Sequence, residues 1–277
     1  MSGETARADL ESALAAYARQ EFGQAALLLE RAIAADSGIG ARHGVLLAHA
    51  LLLAAPWSKI DALLPRGTNA LSATGWLDSL FLARPVGAEG RPVPWLACPA
   101  IEFLEARITP GFRVFEWGSG HSTLWWAERA AEVRAVEDDP TWAQDLAGRL
   151  PPHAGVTHLA DGPEYANAIR RFPAAYFDLV TIDGKSRAAC ARVAPEFVKP
   201  DGMIVYDNSD RRGERDGIAA LDAAGWLRID FFGLAQGTLY RNCTSVFFRD
   251  PALLRRGSLP DDFRSTLGPT CAQALGE

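Results

Sequence analysis

Apolar residues recur every third or fourth position through the first fifty residues, at Leu10, Leu14 and Tyr17 and then at Phe22, Ala26, Leu29 and Ile33. That spacing lines one face of a helix, and it predicts two helices over residues 6–54 with a turn near 20–22. Pro56, Pro65 and Gly67 interrupt the pattern, and Gly87, Gly90, Pro92 and Pro94 interrupt it again, so a connector with a short helix near 76–83 is expected. A helix over 99–106 should bury Ala100, Phe103 and Leu104. After Gly111 the texture changes to short β-rich runs at 113–117, 133–137, 156–159, 177–183, 203–207, 227–232 and 244–249, alternating with helical stretches. This alternation predicts an α/β fold, a mostly parallel sheet with helices on both faces, preceded by a small all-α region. No clear helix separates the last two runs, so they are expected to pair antiparallel at the sheet edge. The expected division is a helical region at 1–56, a connector at 57–95, an α/β domain at 96–250 and a tail at 251–277.

Composition narrows the partners more than the fold. With 48% apolar and 22% charged residues, the chain has the balance of a globular protein with a substantial core. A net charge of -6 supplies no positive field, which disfavours nucleic acid as a partner. Arg211, Arg212 and Arg215 are interleaved with Asp210, Glu214 and Asp216 and read as a solvated loop, at most a substrate rim. Cys98, Cys190, Cys243 and Cys271 form no CxxC pair, so reduced thiols in a cytoplasmic protein are expected. The amino terminus lacks a signal-peptide pattern. The longest apolar run, 45–55, contains His49 and has about half the length a membrane helix needs, so a buried helix is expected and no membrane partner.

Chemistry concentrates in the α/β half. Val114-Phe115-Glu116-Trp117 is an apolar strand running into Gly118-Ser119-Gly120-His121-Ser122-Thr123, a glycine turn that a ligand can approach closely, with Ser122 or Thr123 available to cap the next helix. The third glycine of a dinucleotide fingerprint is missing, and Thr123 stands in its position. Glu137 closes the second strand about twenty residues on, where a carboxylate can accept both hydroxyls of a ribose; Asp138 and Asp139 compete for that role. Trp142 can cover an adenine or serve as core, and Asp161-Gly162 follows the third strand as a ligand contact or a plain turn. Asp183 ends the fourth strand and Asp207-Asn208 the fifth, both at the carboxyl edge where open α/β sheets bind ligands.

Glu116-x-Gly118-x-Gly120 resembles motif I of class I S-adenosylmethionine-dependent methyltransferases, and the order of FEWGSGHST, VEDDP, FDLVTIDGKSR and GMIVYDNSDR resembles that family across most of residues 113–212. The resemblance implies a Rossmann-like methyltransferase sheet and S-adenosylmethionine as cofactor, with Glu116 at its methionine end and Asp161 facing the adenine amino group. Asp183 with Asp207 and Asn208 resembles the magnesium site of the catechol O-methyltransferase group, implying Mg2+ as an assisting ion. Lys185 stands one position earlier than that group's lysine, where this chain has Ser186. Lys185, Asp183 and His121 are the candidate bases. Phe22-x-x-Ala25 with Leu29 and Ala32 resembles half of a tetratricopeptide repeat; a lone repeat needs a neighbour, either the catalytic domain or a second subunit of a homodimer. The expected activity is therefore O- or N-methylation of a small-molecule acceptor. The alternatives are a nicotinamide-dependent oxidoreductase and a non-enzymatic interaction protein with a retained methyltransferase fold.

Overall fold

A computed structural model describes residues 2–55 and 70–255. Residues 56–69 and 256–277, which include the first part of the expected connector, Cys271 and most of the expected tail, lie outside the described residues.

All seven expected strands form and join one sheet. They are β1 (Arg113–Trp117), β2 (Glu132–Glu137), β3 (Ala154–His158), β4 (Phe177–Ile182), β5 (Val198–Asp207), β6 (Leu227–Leu234) and β7 (Arg241–Phe248), in the order β3-β2-β1-β4-β5-β7-β6. Pairings among β1 to β5 are parallel, and β7 is antiparallel to both β5 and β6. The last two runs thus pair antiparallel as expected, with β7 inserted next to β5 and β6 left at the edge. Burial follows that placement, continuous along β7 and alternating along β6. The fold is a Rossmann-like α/β sheet with helices on both faces and an all-α region before it, as expected.

Side-chain alternation feeds a separate core on each face. Phe115, Trp117, Val180, Ile182, Ile204 and Tyr206 meet Cys190, Ala191, Ile218 and Leu221 on one side. Opposite them Val114, Val133, Leu179, Met203 and Val205 meet Ile101, Leu104, Trp125 and Trp126. Strand order reverses between β1 and β4, so the crevice beyond their carboxyl ends is the natural ligand position.

Three helices, not two, build the amino-terminal region: α1 (Ser2–Ala18), α2 (Phe22–Ala35) and α3 (Ser37–Ala54). The unexpected break falls at Asp36, whose extended backbone ends α2 and whose carboxylate accepts from the Gly38 N–H at 2.8 Å. That N-cap starts a new helix inside an unbroken apolar periodicity. Ala16, Ala25, Ala26 and Ala50 let the helices approach closely, and the Tyr17 hydroxyl is hydrogen-bonded to His49 across them. The apolar run at 45–55 is not the buried helix expected, because Val45 and Leu51 are exposed and Ala50 is its one fully buried residue. Among the described residues no helix is long and apolar enough to cross a membrane.

Leu52 and Leu53 pack on Trp76, Leu77 and Leu80 of α4 (Trp76–Leu82), where Leu239 from the β6–β7 loop joins them. The Trp76 indole donates to the Thr238 carbonyl at 2.9 Å, Gln236 donates to the Thr74 carbonyl at 2.8 Å, and Trp95 donates to the Gln236 carbonyl at 2.7 Å. Residues 70–97 are thereby fastened to the sheet's far end and lie over its carboxyl edge, ahead of α5 (Cys98–Glu105). Trp76 is 3% exposed, so Trp76→Ala should cost about 3–5 kcal/mol. Denaturant unfolding checks this; a loss under about 1 kcal/mol would mean the fastening is not structural.

Candidate active site

The chain leaves β1 through Gly118 in a left-handed conformation, φ 83°. A Cβ there would stand 2.7 Å from the Gly184 nitrogen, and one on Gly184 would strike the Tyr165 hydroxyl and the Gly118 backbone. The loops after β1 and β4 therefore touch at bare backbone. Gly120 is extended and lies against the Trp142 indole, whose N–H donates to the Ser119 carbonyl at 2.8 Å.

Glu116 lies beneath this loop, fully enclosed. Its carboxylate accepts from the Thr123 hydroxyl at 2.5 Å and the Trp126 indole at 3.2 Å, while the Gly120 N–H donates to the Thr123 hydroxyl at 2.9 Å. Thr123, rather than Ser122, thus completes the start of α6 (His121–Ala127), reaching back from its third residue. Burial pushes Glu116 up to about 7, partly offset by hydrogen bonds from Ser122, Thr123 and Trp126. A carboxylate with no exposed surface supports a ligand only through the loop it braces.

Glu137 is the external counterpart, 7% exposed. One oxygen accepts from the Ser119 N–H at 2.8 Å and hydroxyl at 2.9 Å, and the other accepts from the Asp138 and Asp139 N–H groups at 3.1 Å each. The carboxylate is pre-oriented by backbone, and only the Ser119 hydroxyl, free to rotate, would yield to an incoming sugar hydroxyl. Asp139 is spent as the N-cap of α7 (Pro140–Ala147), leaving Asp138 beside Glu137 in the cleft. Asp161 is exposed and accepts from the Ser186 hydroxyl at 2.6 Å, and Gly162 opens the next turn; neither lines the cleft with the others.

At the ends of β4 and β5 the residues expected as metal ligands have partners within the protein. Arg187, at the start of α8 (Arg187–Val193), uses all five of its N–H donors there. Its Nε donates to the Gly184 carbonyl at 2.9 Å. Nη1 donates to the Asp207 carbonyl at 2.6 Å and Asn208 Oδ1 at 3.0 Å, and Nη2 to the Asp183 carbonyl at 2.7 Å and Asp183 Oδ1 at 3.1 Å. Of the side chains expected at Mg2+, those of Asp183 and Asn208 meet this guanidinium, and Asp207 reaches it only through its carbonyl. Asp207 turns to Thr244 and Asn242, accepting at 2.6 Å and 3.2 Å. Among the described residues no group of three or more His, Cys, Asp or Glu side chains is placed to hold a metal ion. Burial raises Asp183 well above the usual carboxylate range, reinforced by Asp207 and opposed by Arg187; a quarter of its side chain still faces the cleft.

Two cavities flank the glycine loop and share Ser119, Ser122 and Asp183. The first, about 240 Å3, is lined by Gly118, Glu137, Asp138, Lys185 and Arg187. Lys185 sits at its rim, 57% exposed and 4.0 Å from Asp138. The second, about 210 Å3, is lined by Arg84, Pro85, Trp95, His121 and Trp142. His121 Nδ1 lies 2.8 Å from the Pro85 carbonyl, which only an N–H can satisfy, so Nε2 keeps its lone pair. Burial holds the His121 pKa below its ordinary value. Sequence reasoning missed Arg84, Pro85, Trp95 and the clamp at Arg187. Nothing local marks the first three, which lie in a proline- and glycine-rich connector; Arg187 stands four residues after Asp183, the one available signal.

No family model matches the chain, and no curated protein matches it. Solved structures similar to parts of it include precorrin-6y C5,15-methyltransferase from Geobacter metallireducens, at 12% identity over 55% of this chain and 87% of that one, TM-score 0.44. Others are a TehB-like SAM-dependent methyltransferase from Corynebacterium glutamicum, at 13% identity over 54% and 86%, TM-score 0.39, and precorrin 8w decarboxylase from Methanobacterium thermoautotrophicum, at 18% over 59% and 95%, TM-score 0.40. Likeness at this level assigns neither family nor activity.

Glu116 makes stability depend on pH. Its folded pKa, about 7, lies above the ordinary 4.5, so its contribution is full below pH 4.5 and is lost as pH rises through 7. Glu116→Gln cannot ionise, and it should flatten the fall in denaturant midpoint between about pH 5 and 8 by an amount on the order of 3 kcal/mol. Parallel pH profiles of the two proteins would refute this. Arg187→Met should cost about 3–5 kcal/mol by stranding Asp183 and Asn208, and Arg187→Lys, lacking the planar fork, should recover only part of it. Calorimetric melting tests the pair, and equal stability of Met and wild type would dismiss the clamp.

Proposed function

We propose that the protein is an S-adenosylmethionine-dependent methyltransferase acting on an oxygen or nitrogen of a small molecule. The observation that carries this reading is Glu137, a carboxylate pre-oriented by backbone N–H groups at the end of β2, lining the same cavity as the bare backbone of Gly118. A sugar hydroxyl pair suits the first, and close approach of an adenosyl group suits the second.

Charge supports the same choice over a nicotinamide dinucleotide. The Gly120 N–H, a natural donor to a diphosphate, is satisfied by Thr123. The cationic side chains of that cavity are also engaged, Lys185 facing Asp138 and Arg187 fully spent. Glu137, Asp138 and Asp183 would repel a diphosphate and attract a sulfonium.

When bound, the cofactor supplies a methyl group whose carbon–sulfur bond breaks as the acceptor atom bonds the carbon, leaving a neutral thioether and one proton to remove. The chain's task is alignment and proton removal. Asp183 borders both cavities, and His121 borders the second with a free Nε2. These two are the proton acceptors in this reading. Lys185 borders only the first cavity and steers the rim.

Titration calorimetry should give saturable binding of S-adenosylmethionine or S-adenosylhomocysteine and none of NADH. Glu137→Ala should weaken it about 10- to 100-fold, the value of charge-assisted hydrogen bonds. Unchanged affinity in that variant, with circular dichroism showing it folded, would falsify the assignment.

A further inference from the structure

The second cavity differs in chemistry from the first. Trp95 and Trp142 are 48% and 43% exposed, unusual for indoles with nothing to cover them. Each has its one polar atom committed to backbone, Trp95 to the Gln236 carbonyl at 2.7 Å and Trp142 to the Ser119 carbonyl at 2.8 Å. What they offer a ligand is rigid aromatic surface.

Arg84 supplies the complementary charge. It is exposed, and among the described residues it has neither an acidic partner within ion-pair distance nor an aromatic one. Arg187, the other arginine bordering the two cavities, has no donor left. Arg84 also adds to the positive field that helps hold His121 neutral. Asp183 lies at the cavity's opposite character, a carboxylate held by Arg187.

Size sets a limit. An enclosed apolar cavity of about 150 Å3 holds benzene, so this open cleft of about 210 Å3 has room for one ring with small substituents.

We propose that this cavity is the acceptor site and selects a single aromatic ring bearing a carboxylate and a hydroxyl or amino group. The ring lies against Trp95 and Trp142, the carboxylate meets Arg84, and the nucleophilic substituent is directed to Asp183 and His121. The assignment of an acceptor rests on the methyl-transfer reading; the ring-and-carboxylate selectivity rests on the cavity alone.

The test is calorimetric, with 4-hydroxybenzoate and its uncharged isostere 4-hydroxybenzamide titrated into the full chain, with and without S-adenosylhomocysteine. The benzoate should bind saturably and the benzamide about 10-fold or more weakly, and Arg84→Ala should abolish the difference while leaving S-adenosylhomocysteine affinity unchanged. Trp95→Leu should weaken both ring ligands together. Equal binding of the two ligands to the wild type, or binding of neither, overturns the proposal. So does a parallel loss of S-adenosylhomocysteine affinity in Arg84→Ala, which would assign the arginine to the cofactor's own carboxylate. Should the benzoate bind in an Arg84-dependent way while S-adenosylhomocysteine does not bind at all, the selectivity stands and the methyl-transfer reading falls.

Discussion

Two loops meet where β1 and β4 end, and only hydrogens fit between them. Gly118 and Gly184 close that gap from opposite sides, with the Tyr165 hydroxyl behind Gly184. Parallel pairing of β1 with β4 forces both chains to emerge on the same edge, so some contact there is unavoidable. Making it with bare backbone keeps the two loops low. The floor that results is flat enough for one cavity on each side of the 118–120 segment, sharing Ser119, Ser122 and Asp183. Any side chain at either glycine would lift one loop and merge or close those spaces.

Electrostatic balance in the floor follows from the same edge. Glu116, Asp183 and Asp207 come from the ends of three parallel strands, and Asp183 lies near enough to feel both of the others. A divalent ion is one solution to such crowding. Here Arg187 supplies a single positive charge, delivered by a helix start from the same loop as Asp183, and its planar fork bridges backbone and side-chain oxygens of two strand ends. Burial raises all three groups, and Arg187 opposes the rise at Asp183 and Asp207. On the proposed reading, a cationic sulfonium in the adjoining cavity favours the ionised form of Asp183, whereas an anionic cofactor would oppose it.

Much of this was legible in the sequence because its cause is local. Short β-rich runs alternating with helical stretches located every strand, and the spacing from Gly118 to Glu137 reflects one strand–helix–strand unit. Glu116 was legible as part of the glycine-loop motif, although its burial under Thr123 and Trp126 was not. Other features depend on contacts distant in sequence. Arg84 and Trp95 reach the site because Trp76 and Trp95 bond to the 236–238 loop more than 140 positions away, a pairing without periodicity. Of the strand-end residues expected at an ion, Asp183 and Asn208 meet Arg187 through their side chains and Asp207 only through its carbonyl, since residue type at a strand end does not reveal which partner arrives. The third amino-terminal helix escaped for a smaller reason: a single Asp36 cap inside a continuous apolar repeat.

Backbone strain ties the distant wall to the floor. Ala83, Ser186 and Asn208 are non-glycine residues in the left-handed region, a conformation costing about 1–2 kcal/mol for ordinary side chains. Two adjoin a residue of the cleft: Ala83 precedes Arg84 and Ser186 precedes Arg187. Asn tolerates the conformation, and Ser186 is anchored by Asp161. Ala83 has no polar side chain to compensate it, and ends α4 where glycine is the usual choice. Its turn carries the chain into Pro85, whose carbonyl receives the His121 N–H. That bond fixes the imidazole tautomer that leaves Nε2 free, so the strained turn after α4 and the protonation state of the glycine-loop histidine are one arrangement. A relaxed turn would release Pro85, and with it the bond that fixes the His121 tautomer in the second cavity.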